Sequence, residues 1–85
     1  MNLQKMLEEA RKEVEVGAIY AHYKHPETSR YRVVDLAFIE ADLAVSVIYQ
    51  SMQDGILWVR PVKDFVSTVY VDEQPMKRFE KVSGK

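Results

Sequence analysis

Leu57-Trp58-Val59-Arg60-Pro61, followed four residues on by Phe65, is the stretch from which the rest of the chain can be read. It holds the only tryptophan, with an arginine two positions later. Residues two apart in a β-strand share a face. Trp58 and Arg60 therefore point to one side of such a strand, and Leu57 and Val59 to the other. Pro61 stops the strand, because its ring nitrogen has no hydrogen to give a ladder. The same missing donor costs nothing at a helix start, so Val62 to Phe65 is expected to make one helical turn. If Leu57 and Val59 fill the core, Trp58 and Arg60 face outward or line a concavity.

Working downstream, residues 66–71 read as a strand, Asp72-Glu73-Gln74-Pro75 as a turn and residues 77–82 as a short last strand. Upstream, Gln53-Asp54-Gly55 carries the Asp-Gly turn signal. Before it, residues 43–51 alternate cleanly as a strand, with Leu43, Val45, Val47 and Tyr49 on one face. Glu40-Ala41-Asp42 is a polar break, and the preceding Tyr31–Ile39 is β-branched and aromatic enough for a partner strand. Both of its faces are largely apolar, so a bend or bulge is expected there. His25-Pro26-Glu27-Thr28-Ser29 is a loop, and residues 19–24 form a first strand with Tyr20, His22 and Lys24 on one face. Leu3, Met6, Leu7, Ala10 and Val14 fall on one stripe of a helix over 3–14, with Asn2 as its N-cap.

The expected division is thus an N-terminal helical segment over 1–15, a β domain over 16–82 and a frayed tail at 83–85. Short strands, tight turns and one helical turn before the penultimate strand point to a mainly β chain with an N-terminal helix. The nearest common form is a small, highly bent antiparallel barrel of the SH3-like kind, whose closure would remove exposed edges. An open curled sheet with the helix across one face is the alternative.

At 85 residues the chain is one domain, burying only roughly 60–65% of the surface its unfolded form exposes. Its 47% hydrophobic and 29% charged residues describe a globular chain rather than a disordered one. Without cysteine, disulfides and thiolate chemistry are excluded. No apolar run reaches signal-peptide or bilayer-spanning length, so a cytoplasmic protein without membrane contact is expected. A net charge of −1 argues against coating nucleic acid by bulk electrostatics, though not against a local basic patch.

The series Gly17-x-x-Tyr20-x-His22-Tyr23-Lys24, Tyr31-x-Val33, Ala37, Val47-x-Tyr49, Leu57-Trp58-Val59-Arg60-Pro61-x-x-x-Phe65, Val69 and Arg78-Phe79 resembles the DUF1653 family of small domains. The combination of the "HYK" and "WVRP" segments at this spacing carries the likeness, which runs from about Gly17 to Phe79. Where the family usually shows a glycine in the loop after "HYK", this chain has the longer 25–29 segment, so a different turn is expected. The resemblance implies one β-rich domain and supplies no reaction, cofactor or catalytic residue.

For chemistry, His22 and His25 have chelating spacing only on a helix. On a strand entering a loop their rings diverge, and zinc needs four ligands, for which, without cysteine, only Glu27 and remote carboxylates remain. None of the serines sits in a nucleophile-elbow motif, and the three glycines form no phosphate loop. The informative set is aromatic and cationic: Tyr20, His22, Lys24, Tyr49, Trp58, Arg60 and Arg78. Arginine beside tryptophan suits planar, anionic ligands. The competing reading makes Trp58 and Tyr49 core, with Arg60 paired to Asp54, Asp64 or Glu80. The expectation is a non-enzymatic module for a nucleotide, a nucleotide-derived signal or a short nucleic acid. Its alternative is a protein-interaction or homo-oligomerisation domain working through the helix or a barrel edge.

Overall fold

The computed structural model describes residues 2–83. Along the chain come α1 (Leu3–Glu13), β1 (Ile19–His22), β2 (Tyr31–Ile39), β3 (Ala44–Ser51), β4 (Leu57–Pro61), α2 (Val62–Phe65), β5 (Thr68–Val71), β6 (Gln74–Lys77) and β7 (Phe79–Ser83). One antiparallel sheet has the order β4-β3-β2-β1-β7, and β5 pairs with β6 in a separate hairpin.

Local chemistry sets most of these boundaries. Asn2 caps α1, its side-chain oxygen accepting from the Lys5 amide at 3.0 Å. Ala10 and Val14 are buried and Leu7 packs half-buried against the core, whereas Leu3 is exposed, so the apolar stripe docks from its second turn onward. Gly17, at φ 90°, turns the chain into β1 in a conformation open to a residue without Cβ. Pro61 is the last residue of β4, and one helical turn follows it as its missing donor allows.

β2 carries the expected bulge, with the register shifting between Val33 and Asp35. The extra residue, Val34, moves Leu36 to the face that Val33 occupies. Val33 and Leu36 are both buried, while Val34 is exposed. That inner face, with α2 and β7, holds the core. Phe65 and Phe79 stack at its centre, with centroids 4.2 Å apart and planes within 4°. Edge-on contacts surround them: Tyr20 on Phe65 at 5.3 Å, Tyr49 on Phe65 at 5.4 Å and Tyr49 on Phe79 at 5.3 Å. Each such pair adds about 0.5–1.5 kcal/mol beyond simple burial.

The sheet is open, and the SH3-like barrel expected from strand count does not form. β4 and β7 are its two edges. The physical reason lies in the segment after α2, which leaves the sheet instead of bridging those edges. Asp72 and Glu73 both take positive φ, at 51° and 67°, making a two-residue turn that feeds Gln74–Lys77 straight back along β5. The turn is therefore shorter than the four residues expected, and the single last strand over 77–82 is really β6 followed by β7. Pro75 sits in β6 opposite Tyr70, as a two-stranded edge permits. Ser83, expected in the tail, pairs with Ile19; Gly84 and Lys85 lie outside the described residues. Among the described residues no helix is long and apolar enough to cross a membrane.

Candidate functional site

Residues facing each other across an antiparallel ladder share a face of the sheet. Trp58 pairs with Tyr49 and Arg60 with Val47, and both Tyr49 and Val47 belong to the buried inner face. β4 therefore directs Trp58 and Arg60 inward, over the open margin of the core. Leu57 and Val59 take the other face and are each 58% exposed, so they do not fill the core as the alternation suggested.

The result is a recess of about 160 Å³ lined by His22, Tyr31, Tyr49, Trp58, Arg60 and Phe79. Trp58 is half-exposed at 49% and forms one wall. Tyr31 meets Tyr49 and Phe79 edge-on at 5.4 and 5.8 Å, which fixes the aromatic floor. Arg60 spreads across it, with its guanidinium carbon 5.9 Å from the Phe79 centroid and its Nε 3.5 Å from the Tyr49 hydroxyl, which accepts. The ring beneath the guanidinium is thus Phe79 rather than Trp58. Arg60 has no ion pair with Asp54, Asp64 or Glu80 among the described residues.

His22 closes the recess from β1. Its ring stands edge-on to Phe79 at 4.9 Å and leans on Tyr23 at 4.8 Å. Nδ1 accepts from the Lys24 amide at 3.2 Å, which in the neutral ring places the proton on Nε2. Burial, then the charges of Arg60, Arg78, Lys24 and His25, push its pKa below the ordinary histidine value. Every charge in that set is positive. The imidazole is therefore neutral at pH 7 in a field that favours an anion.

Of the seven residues singled out from sequence, His22, Tyr49, Trp58 and Arg60 line the recess. Lys24 and Arg78 do not line it, yet both act on His22 through their charge. Arg78 is held in place by Ser67, whose hydroxyl accepts from Nε at 2.9 Å and whose carbonyl accepts from the Arg78 amide at 3.0 Å. Tyr20 lies elsewhere: it is buried against Phe65, and its hydroxyl accepts from the Glu15 amide at 3.0 Å. Tyr49 is also buried, so it serves both the core and the recess floor. Sequence reasoning missed Tyr31 and Phe79 as lining residues. The alternation in β2 and the Arg78-Phe79 pair carried that signal.

Ser29 comes close to His22 without forming a nucleophile pair. Its hydroxyl accepts from the His22 main-chain amide at 2.8 Å and donates to the His25 carbonyl at 2.6 Å, fastening the loop. Among the described residues no group of three or more His, Cys, Asp or Glu is placed to hold a metal ion.

The fold and recess define a small, open antiparallel β domain with a helix docked on its sheet and an aromatic hollow crossed by one arginine, Arg60. Residues 18–81 match the family model described as a protein of unknown function, DUF1653, and the chain belongs to that family. The matched span takes in every lining residue of the recess and leaves α1 outside. No curated protein and no solved structure matches the chain.

Proposed function

We propose that the domain is a non-enzymatic binding module whose recess takes one planar, anionic group, as found in a nucleotide, a nucleotide-derived signal or a short nucleic acid. The observation that carries this reading is an aromatic-walled hollow lined by one cation, Arg60, with the charges of Arg78 and Lys24 acting on its His22, and none of the three has a carboxylate partner among the described residues. Arginine and exposed tryptophan together suit a ligand that stacks and carries negative charge. At about 160 Å³ the recess is smaller than the roughly 300–1,000 Å³ of ordinary ligand pockets. It suits one ring system rather than a whole cofactor.

Trp58 fluorescence reads occupancy directly. Titration with nucleoside 5′-monophosphates is expected to quench it saturably, and ribose 5-phosphate, which lacks the base, to bind more weakly. Absence of saturable quenching by any nucleotide up to millimolar concentration would sink the reading.

The free edge of β4 favours a second reading, as a protein-interaction or oligomerisation domain. The Ser51 amide donates to the Ile56 carbonyl at 2.9 Å, which sets the ladder phase. Trp58 and Arg60 then direct their main-chain groups to β3, while those of Leu57 and Val59 face the open side. Pro61, also on the open side, removes no ladder bond. Two copies of β4 running antiparallel would match Leu57 of each with Val59 of the other and satisfy both residues in both copies. Sedimentation at increasing concentration distinguishes this from the first reading, since a dimer that Val59→Pro abolishes would support strand addition.

A further inference from the structure

Phe79 is a wall of the recess and also of a second hollow, a cleft of about 380 Å³ between the end of α1, α2 and β7. The cleft shares the cationic character of the recess, over aromatic residues that are themselves buried. Tyr20, Phe65 and Phe79 contribute its aromatic surface, and Arg11, Lys12 and Lys77 its charge. Lys81 lies there too, but it is paired with Glu15 at 2.8 Å. Its pKa is raised by that bond and by the Glu15 charge. Arg11, Lys12 and Lys77 are left facing the single further carboxylate of Glu13.

Tyr20 ties the cleft wall to the segment that follows α1. The residue is only 6% exposed, and its hydroxyl oxygen accepts from the Glu15 amide. That bond satisfies the buried hydroxyl and fixes the ring as part of the cleft wall. Arg78 stands in the chain between Lys77 on the cleft rim and Phe79 on the shared wall. Positive charge therefore continues from one hollow to the next.

We infer that recess and cleft are successive subsites for one single-stranded nucleic-acid segment. A base stacks beside Trp58 in the recess, the backbone passes Arg78 over Phe79, and the next nucleotide sets its phosphate among Arg11, Lys12 and Lys77. A ligand that follows a planar group with a further negative charge matches a recess with an exposed tryptophan beside a cationic cleft. A free nucleotide uses only one of them. Duplex is disfavoured because its bases are stacked and paired, whereas the recess admits one ring only when it is unstacked. The net charge of −1 supplies no bulk attraction, so the contact is short and local.

This inference rests on the recess reading and can fail separately from it. The full chain is titrated with thymidine 5′-phosphate and with oligothymidylates of two to six nucleotides, with Trp58 fluorescence as readout. Affinity is expected to rise roughly tenfold or more from the mononucleotide to the trinucleotide and then level off. The log–log salt slope should be about −2, as expected for some three phosphates of a single strand. The double variant Lys12→Glu, Lys77→Glu should erase the gain with length and leave the mononucleotide titration unchanged. If the mononucleotide binds and length adds nothing, the two hollows are not one track, and the recess reading survives alone. If the gain persists in the double variant, or a duplex of equal length binds as tightly, the inference is overturned. If neither mononucleotide nor oligonucleotide quenches Trp58, the recess reading falls with it.

Discussion

The two faces of β4 differ in what they leave exposed. On the inner side Trp58 and Arg60 lean over the Phe65–Phe79 stack, where a tryptophan stands 49% exposed at the rim of an aromatic floor. On the outer side Leu57 and Val59 are each 58% exposed, with Ile56 at 50% beside them in the chain. The usual rule would bury the aliphatic pair and leave the arginine in water. Here the aliphatic side has no layer to cover it, because α1 and α2 pack on the other face with the aromatic cluster. The inner face is thus both core and candidate site, and the outer face is neither. An arrangement of this kind makes mutational effects on one strand depend on residue parity.

Phe79→Ala breaks the inner face at its centre and should have the largest effect. Phe79 is 4% exposed and touches Phe65, Tyr49, Tyr31, His22 and Arg60. Truncating a buried phenylalanine costs about 3–5 kcal/mol. A domain this small has roughly 5 kcal/mol in total. A thermal melt should show a largely unfolded chain. A melting temperature within a few degrees of the parent would mean that the aromatic centre is not what organises the fold.

Arg60→Ala separates site from scaffold on the same face. With no ion pair to strand and a guanidinium at the rim, its loss should cost about 1 kcal/mol of stability, the scale of a single cation–π contact. Nucleotide affinity should fall roughly tenfold, equivalent to about 1.4 kcal/mol. A collapse in melting temperature, as for a buried charge pair, would move Arg60 from the candidate site to the core.

His22 gives the inner face a pH dependence whose sign follows from its environment. Its folded pKa lies below the ordinary value of 6.5, so the unfolded chain takes up the proton more readily. The associated stability is complete above about pH 6.5 and is lost as the pH falls through the folded pKa. A bound phosphate acts oppositely, raising that pKa, so binding takes up a proton. Anion affinity should therefore increase from pH 8 to pH 6, by roughly threefold, and His22→Gln should flatten the profile. A profile unchanged in the variant would place the proton elsewhere.

The outer face should give the smallest response. Val59→Thr keeps the β-branched shape, and it should change stability by no more than about 0.5 kcal/mol, as at an ordinary surface position. A larger loss, or one that appears only at high protein concentration, would show that a second chain covers Leu57 and Val59.

Several elements are written in adjacent residues and so are legible without the fold. Asn2 caps the helix it precedes, Pro61 ends a strand and starts the turn Val62–Phe65, and Asp54-Gly55 closes the turn before β4, with Gly55 at φ 76°. Family membership was legible for the same reason, through the residues around "HYK" and "WVRP". What the chain alone left open was which side of each strand meets the core. Alternation has a period of two and no sign, and in β2 both phases are apolar, so the bulge at Val34 decides which one is buried. The turn after β5 was legible, but its length and the separate strand β6 were not, because Asp72-Glu73 lacks the usual glycine of a two-residue turn and Pro75 reads as a breaker. Only tertiary structure brought His22 of β1, Tyr49 of β3, Trp58 of β4 and Phe79 of β7 around one recess. Strand order, rather than sequence distance, sets which side chains meet, and strand order is chosen by the packing of the whole inner face.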